Sequence, residues 1–519
     1  MMKNFILFVF FLFSLPGIYA QSDFPKNASE DKEKIMSDLY WEIWNDSVQA
    51  CIDRDIEEYR KANATIELPE VNEGTEVKIE QVSHGFIFGA SIFNFNQLGT
   101  EEHNQKYKDL FGVLFNRATI PFYWKAFETE PDRLRFKEEY WDTETYWNQQ
   151  GDPKSKPHWR RPATDPIVDF CIAKGIAIHG HPLVWGLRKA HFPNWILKKY
   201  LTGKEREEFD KLVTAYAESD DYYFGEEKYN DNYQKISPDE LQTKLPRFSR
   251  KLEELFKKRM LEIAKHYGGR IGSWDVVNES AVDYAKGKMH PNSKLCLSSR
   301  YGIMPGDYTY NSFKQASSLF PDGVQLNIND YWTGPEYASQ VRDLIKRGAK
   351  IDVIGSQMHL FDPQQCLDIA AGKHIQSPQQ VRSVINRLAV TGLPVHLSEI
   401  TITSPNNNKR GQKIQAVITR NLYRLWFSLE PMMGITWWNV VDGCGAVDET
   451  GVSGLFTKDM IPKQAYHALN ELINHEWKTK VVIKVDSCGQ IKFRGFRGNY
   501  VISWSDESGN VLTKEYYLK

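Results

Sequence analysis

The sequence predicts an α/β fold: a (β/α)₈ TIM barrel with a small accessory β module formed by its N- and C-terminal segments. Three observations carry this. Eight short apolar runs lie between residues 85 and 440, and several are separated by segments with helical spacing. The runs are continuously apolar, as strands buried on both faces are, with no in-out alternation. After about Trp477 the pattern changes to four alternating segments joined by Gly- and Asn-containing turns.

In chain order, residues 1–20 read as a targeting segment. Lys3 gives a positive start, Phe5 to Leu15 an apolar run, and Ala20 a cleavage residue, so the expected location is secreted or periplasmic. Residues 21–84 form a lead-in. Within it, 30–62 read as an exposed amphipathic helix, with Ile35, Leu39, Ile43, Val48, Ile52, Ile56 and Tyr59 near helical spacing. Residues 65–68 and 77–82 alternate as a hairpin around Asn72-Glu73-Gly74. An isolated hairpin is not stable, so this one must dock elsewhere.

The barrel is expected over 85–477. Its strands are Phe86–Ala90, Phe115–Pro121, Ala177–Trp185, Ser273–Asn278, Val324–Asn329, Val353–Met358, Val395–Ile400 and Met433–Asn439. Helices are expected at Pro166–Lys174, Leu252–Tyr267, Ala338–Arg347, Pro378–Leu388 and Lys413–Ser428. Two connections, 140–165 (with Trp141, Trp147 and Trp159) and 187–249, are long enough to wall a groove. The tail, 478–519, is close to the lower size limit for folding alone, and is expected to pack with the 65–82 hairpin into one module.

Composition narrows the function. At 519 residues the chain suits one large barrel with appendages, and a net charge of −2 gives no basic footprint for nucleic acid. No later run is long and apolar enough to span a membrane. The six cysteines are scattered without a C-x-x-C, which argues against a zinc ribbon or redox motif and for mostly free buried thiols. Most of the aromatics read as core, but fifteen Trp also suit a groove that stacks sugar rings.

Chemistry concentrates at the strand exits. Glu279 ends the run Ser273–Asn278, and Glu399 ends Val395-His396-Leu397-Ser398. Counted as above they close strands four and seven, across the barrel mouth from each other. Paired carboxylates over an open cleft are the machinery of glycoside hydrolysis. A structural alternative, two unrelated carboxylates each paired with Arg or Lys, fits less well, because charged residues rarely serve as core filler. His179 and His181, two apart on strand three, point the same way and offer a rival reading as metal ligands. The chain holds no HExxH, and neither metal nor cofactor is required by the two-carboxylate reading.

The motifs Gly180-His181-Pro182-Leu183-Val184-Trp185, Trp274-Asp275-Val276-Val277-Asn278-Glu279, Asn329-Asp330-Tyr331, Gly355-Ser356-Gln357-Met358-His359-Leu360, Ser398-Glu399, Gly434-Ile435-Thr436-Trp437-Trp438 and Pro462-Lys463-Gln464-Ala465-Tyr466 occur in this order. Over about 85–477 the chain resembles family 10 of the glycoside hydrolases, the xylanase family. The resemblance implies retaining cleavage of internal β-1,4 linkages of xylan, with a polysaccharide or oligosaccharide as partner. It makes Glu279 the general acid/base and Glu399 the nucleophile. It places Asn278 on the sugar 2-OH, Gln357 and His359 beside Glu399, and His181 in the −1 subsite with Trp185 and Trp438; Tyr331 joins these as a sugar-binding residue. Another β-glycan as substrate, or a non-catalytic carbohydrate-binding barrel, are the alternatives.

Three departures stand out. The Glu-Asn and Lys that hold the glycone sugar in the family fall on Thr119, Ile120 and Tyr123, with Lys125 as a possible substitute. Thr401 replaces an Asp two residues past the nucleophile. Gly443-Cys444-Gly445-Ala446 stands where a Trp usually follows strand eight.

Overall fold

The computed structural model describes residues 22–137, 162–186, 191–215, 221–224, 227–230, 243–285, 296–299, 302–304, 306–445, 449 and 451–519. The targeting segment and most of the 140–165 connection lie outside them.

The lead-in differs from its expectation. Two helices form, Asp38–Ile43 and Asp46–Arg60, because Ser37 and Asn45 each cap a fresh start by accepting from the backbone N–H of Tyr40 and Val48. Nor are they simply exposed. Tyr40, Trp41, Trp44, Ile52 and Ile56 are buried in the same core as the barrel. They cover the helix Lys409–Ser428, which is buried along nearly its whole length, and Asn421 donates to the Tyr40 hydroxyl at 2.7 Å. The polar residues that gave the segment its exposed look include Asp53, which stays exposed while pairing with Arg424 of that helix, and the buried Asp55, which pairs with Arg382 of the helix Pro378–Ala389.

Strands β1 (Lys61–Glu67) and β2 (Glu76–His84) follow. Next come β3 (Ile87–Ser91), β4 (Arg117–Pro121), β5 (Ala177–His181), β6 (Val184–Trp185), a short pair β7 (Asp221–Phe224) and β8 (Glu227–Asn230), and β9 (Ser273–Asn278). After a second short pair, β10 (Cys296–Ser299) and β11 (Gly302–Met304), come β12 (Gln325–Asp330), β13 (Val353–Leu360), β14 (Val395–Ile402) and β15 (Met432–Trp437). The tail supplies β16 (Lys480–Lys484), β17 (Gln490–Phe496), β18 (Gly498–Ser505) and β19 (Val511–Leu518).

Strands β3, β4, β5, β9, β12, β13, β14 and β15 are parallel neighbours, and β12 also pairs β9, so the barrel closes. The run expected as one third strand is two pieces: Pro182 has no N–H to continue the ladder, and β6 resumes beside β9 at Val184. Five expected helices are present, at Thr164–Lys174, Pro246–Tyr267, Pro335–Lys346, Pro378–Ala389 and Lys409–Ser428. Others also form, among them Glu101–Leu114, Tyr308–Leu319, Pro363–Ala370 and Gln464–Glu471. Part of the 187–249 connection folds into the helices Asn194–Tyr200 and Gly203–Ala215 and the β7–β8 pair.

The expected hairpin does not exist as a hairpin. Strand β1 pairs β17 from Lys61↔Phe496 to Glu67↔Gln490, while β2 lies between β16 and β18. Alternation specified which face each strand buries; the partners come from the tail. Ala64, Ile66, Val77, Ile79, Ile491, Tyr500 and Ile502 close a separate small core between the two sheets. Deleting 478–519 would strip β2 of both neighbours and open that core. With about 1.5–3 kcal/mol lost per exposed large apolar side chain, the truncated chain is expected to melt several degrees lower or to precipitate. An unchanged melting curve would show that the tail adds nothing to the fold.

Cys171, Cys366 and Cys444 are buried free thiols, Cys51 is half-buried and Cys488 exposed. Among the described residues no helix is long and apolar enough to cross a membrane.

Candidate active site

Both glutamates sit where the barrel ladder is irregular. Along β9 and β12 the register runs Asp275↔Asn327 and then Val277↔Ile328, leaving Val276 as an extra residue. Along β14 and β13 it runs Leu397↔Ser356 and then Glu399↔Gln357, leaving Ser398 extra. A one-residue bulge re-aims the side chains that follow it. Glu279 comes just after β9, while Glu399 lies inside β14, three residues before its end and not at the end as expected.

The backbone of Glu279 is in the left-handed region, φ 56°. For a non-glycine residue this costs on the order of 1–3 kcal/mol and persists only where surroundings enforce it. Here its N–H donates to the Asn329 carbonyl at 2.8 Å, and Asp330 holds the next loop by accepting from the N–H groups of Ala281 and Trp332, both at 2.8 Å. Burial, with Glu279 and Asp283 nearby, pushes the Asp330 carboxyl up to about 8.

Gln357 joins the two glutamates. Its amide nitrogen lies 3.1 Å from Glu279 Oε1, 3.1 Å from Glu399 Oε1 and 3.5 Å from Asn278 Oδ1. Sharing one donor sets an upper limit of about 6.2 Å between those two carboxylate oxygens. On the other side Trp185 Nε1 donates to Glu279 Oε2 at 3.1 Å. Asn329 donates to both Glu399 Oε1 (2.8 Å) and Asn278 Oδ1 (2.9 Å), and the Ser398 hydroxyl donates to Asn329 Oδ1. Asn278 thus has its amide oxygen engaged, while its amide nitrogen donates no hydrogen bond among the described residues.

Histidines complete the shell. His181 Nε2 is 3.7 Å from Glu399 Oε1, and His359 Nε2 is 3.5 Å from Glu399 Oε2. Asp275 Oδ2 accepts from His181 Nδ1 at 2.8 Å and His179 Nε2 at 2.9 Å. Burial opposes the charge on Asp275, but the two histidines outweigh it and hold this carboxyl well below the usual carboxylate range. An ionised Asp275 fixes the His181 ring with Nδ1 away from the cleft and Nε2 towards Glu399. His359 Nδ1 is paired with the Thr401 hydroxyl at 2.9 Å, so the Thr found in place of an acid still orients the ring, without charge.

Trp185 and Trp438 are buried with Phe93 and Tyr123 in one aromatic cluster. The Trp438 ring meets His181 edge-on at 5.3 Å, and Tyr123 meets His181 at 5.6 Å and Trp185 at 5.8 Å. Tyr331 follows β12 and is half-buried. Of the residues at the family's glycone positions, Thr119 and Ile120 are buried in the barrel wall and Tyr123 belongs to this cluster. Lys125 donates its backbone N–H to the His191 carbonyl at 2.7 Å.

Asp275 and Phe93 were not singled out from the sequence. Asp275 had a signal: it lies two residues from Ser273 on β9, facing the His179-x-His181 strand, and Ser273 itself bonds His179 Nδ1 at 2.8 Å. Phe93 had none, being one apolar residue in an apolar stretch. Among the described residues no group of His, Cys, Asp and Glu is arranged to hold a metal ion; the two histidines of the rival reading are taken up by Asp275.

The sequence profile of Glycosyl hydrolase family 10 matches residues 232–472. Endo-1,4-beta-xylanase 2 of Arabidopsis thaliana is 23% identical over 474 residues, covering 88% of this chain and 33% of that protein. Endo-1,4-beta-xylanase B of Thermotoga neapolitana is 23% identical over 325 residues, 60% of this chain and 74% of that protein. This chain therefore spans about a third of the plant relative's length. Native xylanase 10B from Thermotoga maritima shares the fold, with TM-score 0.50 and 18% identity over 76% of this chain and 96% of that chain. The profile match covers both glutamate-bearing strands and the bulges that aim them.

Proposed function

We propose that this chain is an exported retaining glycoside hydrolase that cleaves internal β-1,4 linkages of xylan. The observation that carries the reading is the single Gln357 nitrogen bound to both Glu279 and Glu399. Its upper limit of about 6.2 Å between the two oxygens is compatible with the carboxyl spacing of about 5–5.5 Å used by retaining enzymes, and shorter than the 6.5–9.5 Å that inverting enzymes need to seat a water.

In this reading the steps run between the two carboxylates. Glu279 gives its proton to the glycosidic oxygen while a Glu399 oxygen attacks the anomeric carbon, breaking the C–O bond and forming a glycosyl ester. Glu279, now a carboxylate, takes a proton from water as that water attacks the same carbon. The ester breaks, and both groups return to their starting states. Asn329, Gln357, His181 and His359 surround Glu399 and hold it against the sugar. The unengaged amide nitrogen of Asn278 suits the sugar 2-OH. Trp185, Trp438 and Tyr331 supply the apolar and hydroxyl surface of the −1 subsite. Export rests on the N-terminal Lys3, the apolar Phe5–Leu15 run and Ala20.

A different β-glycan is favoured by one observation: the ring of Tyr123, packed with Phe93, stands where the resemblance places a polar glycone-binding residue. The test is digestion of linear xylan, decorated xylan and other β-glycans by the purified chain, with products separated by chromatography and their anomeric configuration followed by NMR. The expected result is β-configured oligosaccharides first, with preference among substrates differing from a family enzyme that has the polar set. First-formed α-anomers exclude retention. No product from any substrate, with binding intact, favours the carbohydrate-binding barrel.

A further inference from the structure

At the opposite end of the barrel from the glutamates, a cavity of about 330 Å³ lies between the starts of β3, β4, β12 and β15 and the β module. Four cationic residues line it: Arg60, Arg117, Arg497 and Lys519. Its walls are largely aromatic, from Phe86, Phe427, Phe496 and Tyr517. No Asp or Glu is among its described lining residues.

Arg117 is the telling member. It begins β4, and its Nε and Nη1 are buried without a hydrogen-bond partner. Burial alone pushes its guanidinium down to about 10, with no carboxylate offsetting it. Arg117 is half-buried, but guanidinium nitrogens left buried without a partner are costly, and proteins rarely keep them so unless something pairs with the group. Arg60 donates Nε and Nη2 to the carbonyls of Phe427 and Leu429 and lies 4.9 Å from the Phe86 ring centre. Those bonds fix the guanidinium in place and leave Nη1 without a hydrogen-bond partner among the described residues. Arg497 stands at the exposed rim and donates to the Lys519 main-chain oxygen; its charge acts against that of Arg60, which the Glu430 charge supports more strongly. His84 adds no charge: burial pushes it down to about 4, and its Nε2 is held at 3.1 Å by the Ile473 carbonyl.

We propose that this cavity is a binding site for a small oxyanion, a carboxylate or phosphate group, held by Arg117 from the barrel floor and Arg497 from the β module. Guanidinium groups bind both anions through paired N–H donors. The aromatic walls suit a ligand whose anionic group is carried on a flat apolar body. Because one arginine belongs to the barrel and another to the module, the anion ties the two together.

The test uses the full-length chain with two probes, inorganic phosphate and benzoate, each compared with sodium chloride at equal ionic strength. Melting temperature and isothermal calorimetry are read for the wild type, Arg117→Gln and Arg497→Gln. The expected result is saturable binding of at least one probe to the wild type, with a melting temperature that rises with the logarithm of its concentration. Binding weakens at least tenfold in each variant, and the probe that binds tells which anion the site takes. Arg497 is exposed, so Arg497→Gln decides the matter if Arg117→Gln does not fold. Absence of calorimetric binding by both probes overturns the proposal. So does an equal rise in all three proteins, which is the general stabilisation that excluded salts give.

Discussion

Glu279→Gln is expected to lower turnover of polysaccharide by about 10³-fold or more, within the range assigned to a positioned general acid and base, while leaving the fold intact. The amide is close in shape, and its oxygen can accept from one of the two donors, Trp185 Nε1 or Gln357 Nε2, that hold the carboxylate at 3.1 Å each. What it lacks is the proton for the leaving oxygen. The loss should therefore depend on the substrate. An aryl glycoside whose leaving group departs without protonation should keep a much faster first step, and the glycosyl ester on Glu399 should then accumulate, visible as a burst of released phenol. Glu399→Gln should abolish the first step for every substrate, with no burst. Stability supplies a second sign. Because Glu279 occupies the left-handed region at φ 56°, Glu279→Asn places there a residue that tolerates it, and should melt no lower than the wild type. A carboxylate present for structure would do the reverse: its removal would lower the melting temperature and leave turnover in proportion to the folded fraction.

Gly180→Ala is expected to destabilise the chain by about 3 kcal/mol, at the upper end of overpacking costs, and to reduce activity as well. A Cβ at this position would meet Cε3 and Cζ3 of the Trp274 ring at 2.2 Å. Gly180 and Trp274 are register partners on β5 and β9, so neither can slide away without breaking the ladder. Trp274 is fully buried, with the rings of Phe122 at 4.7 Å and Phe320 at 5.4 Å. The flanking residues are His179 and His181, both bound to Asp275, so a shift of β5 moves the ring that faces Glu399. Gly323→Ala is the control: a Cβ there meets nothing within 4 Å, and the change should be neutral or mildly stabilising. Denaturant melts of the two variants and the wild type, with turnover measured on the same samples, make the comparison. Equal stabilities would mean that the Gly180–Trp274 contact is looser than the structure shows.

These two sites differ in how far the sequence foretells them. A continuous apolar run that stops at Asn278-Glu279 is a local signal, because burial on both faces of a barrel strand leaves no room for polar residues until the strand exits. The eight strands, the strand-exit position of Glu279, and the face shared by His179 and His181 all follow from such local rules. Partner choice does not. Residues 65–68 and 77–82 alternate as a hairpin would, yet β1 and β2 take partners more than four hundred positions away in the tail. Periodicity fixes the buried face of a strand but carries no address for its neighbour. The lead-in helices read as exposed for the same reason: the acid Asp55 looks solvated until Arg382 is brought to it.

By itself the sequence determined the barrel class, the order of its strands and the two glutamates, since each depends on residues close together in the chain. Only the tertiary structure decided how those glutamates are held. The bulges at Val276 and Ser398, the Gln357 bridge, the Asp275–His181 pair and the Phe93–Tyr123 wall are made between strands. Their energies are set by register and packing, which arise only when the ladder closes.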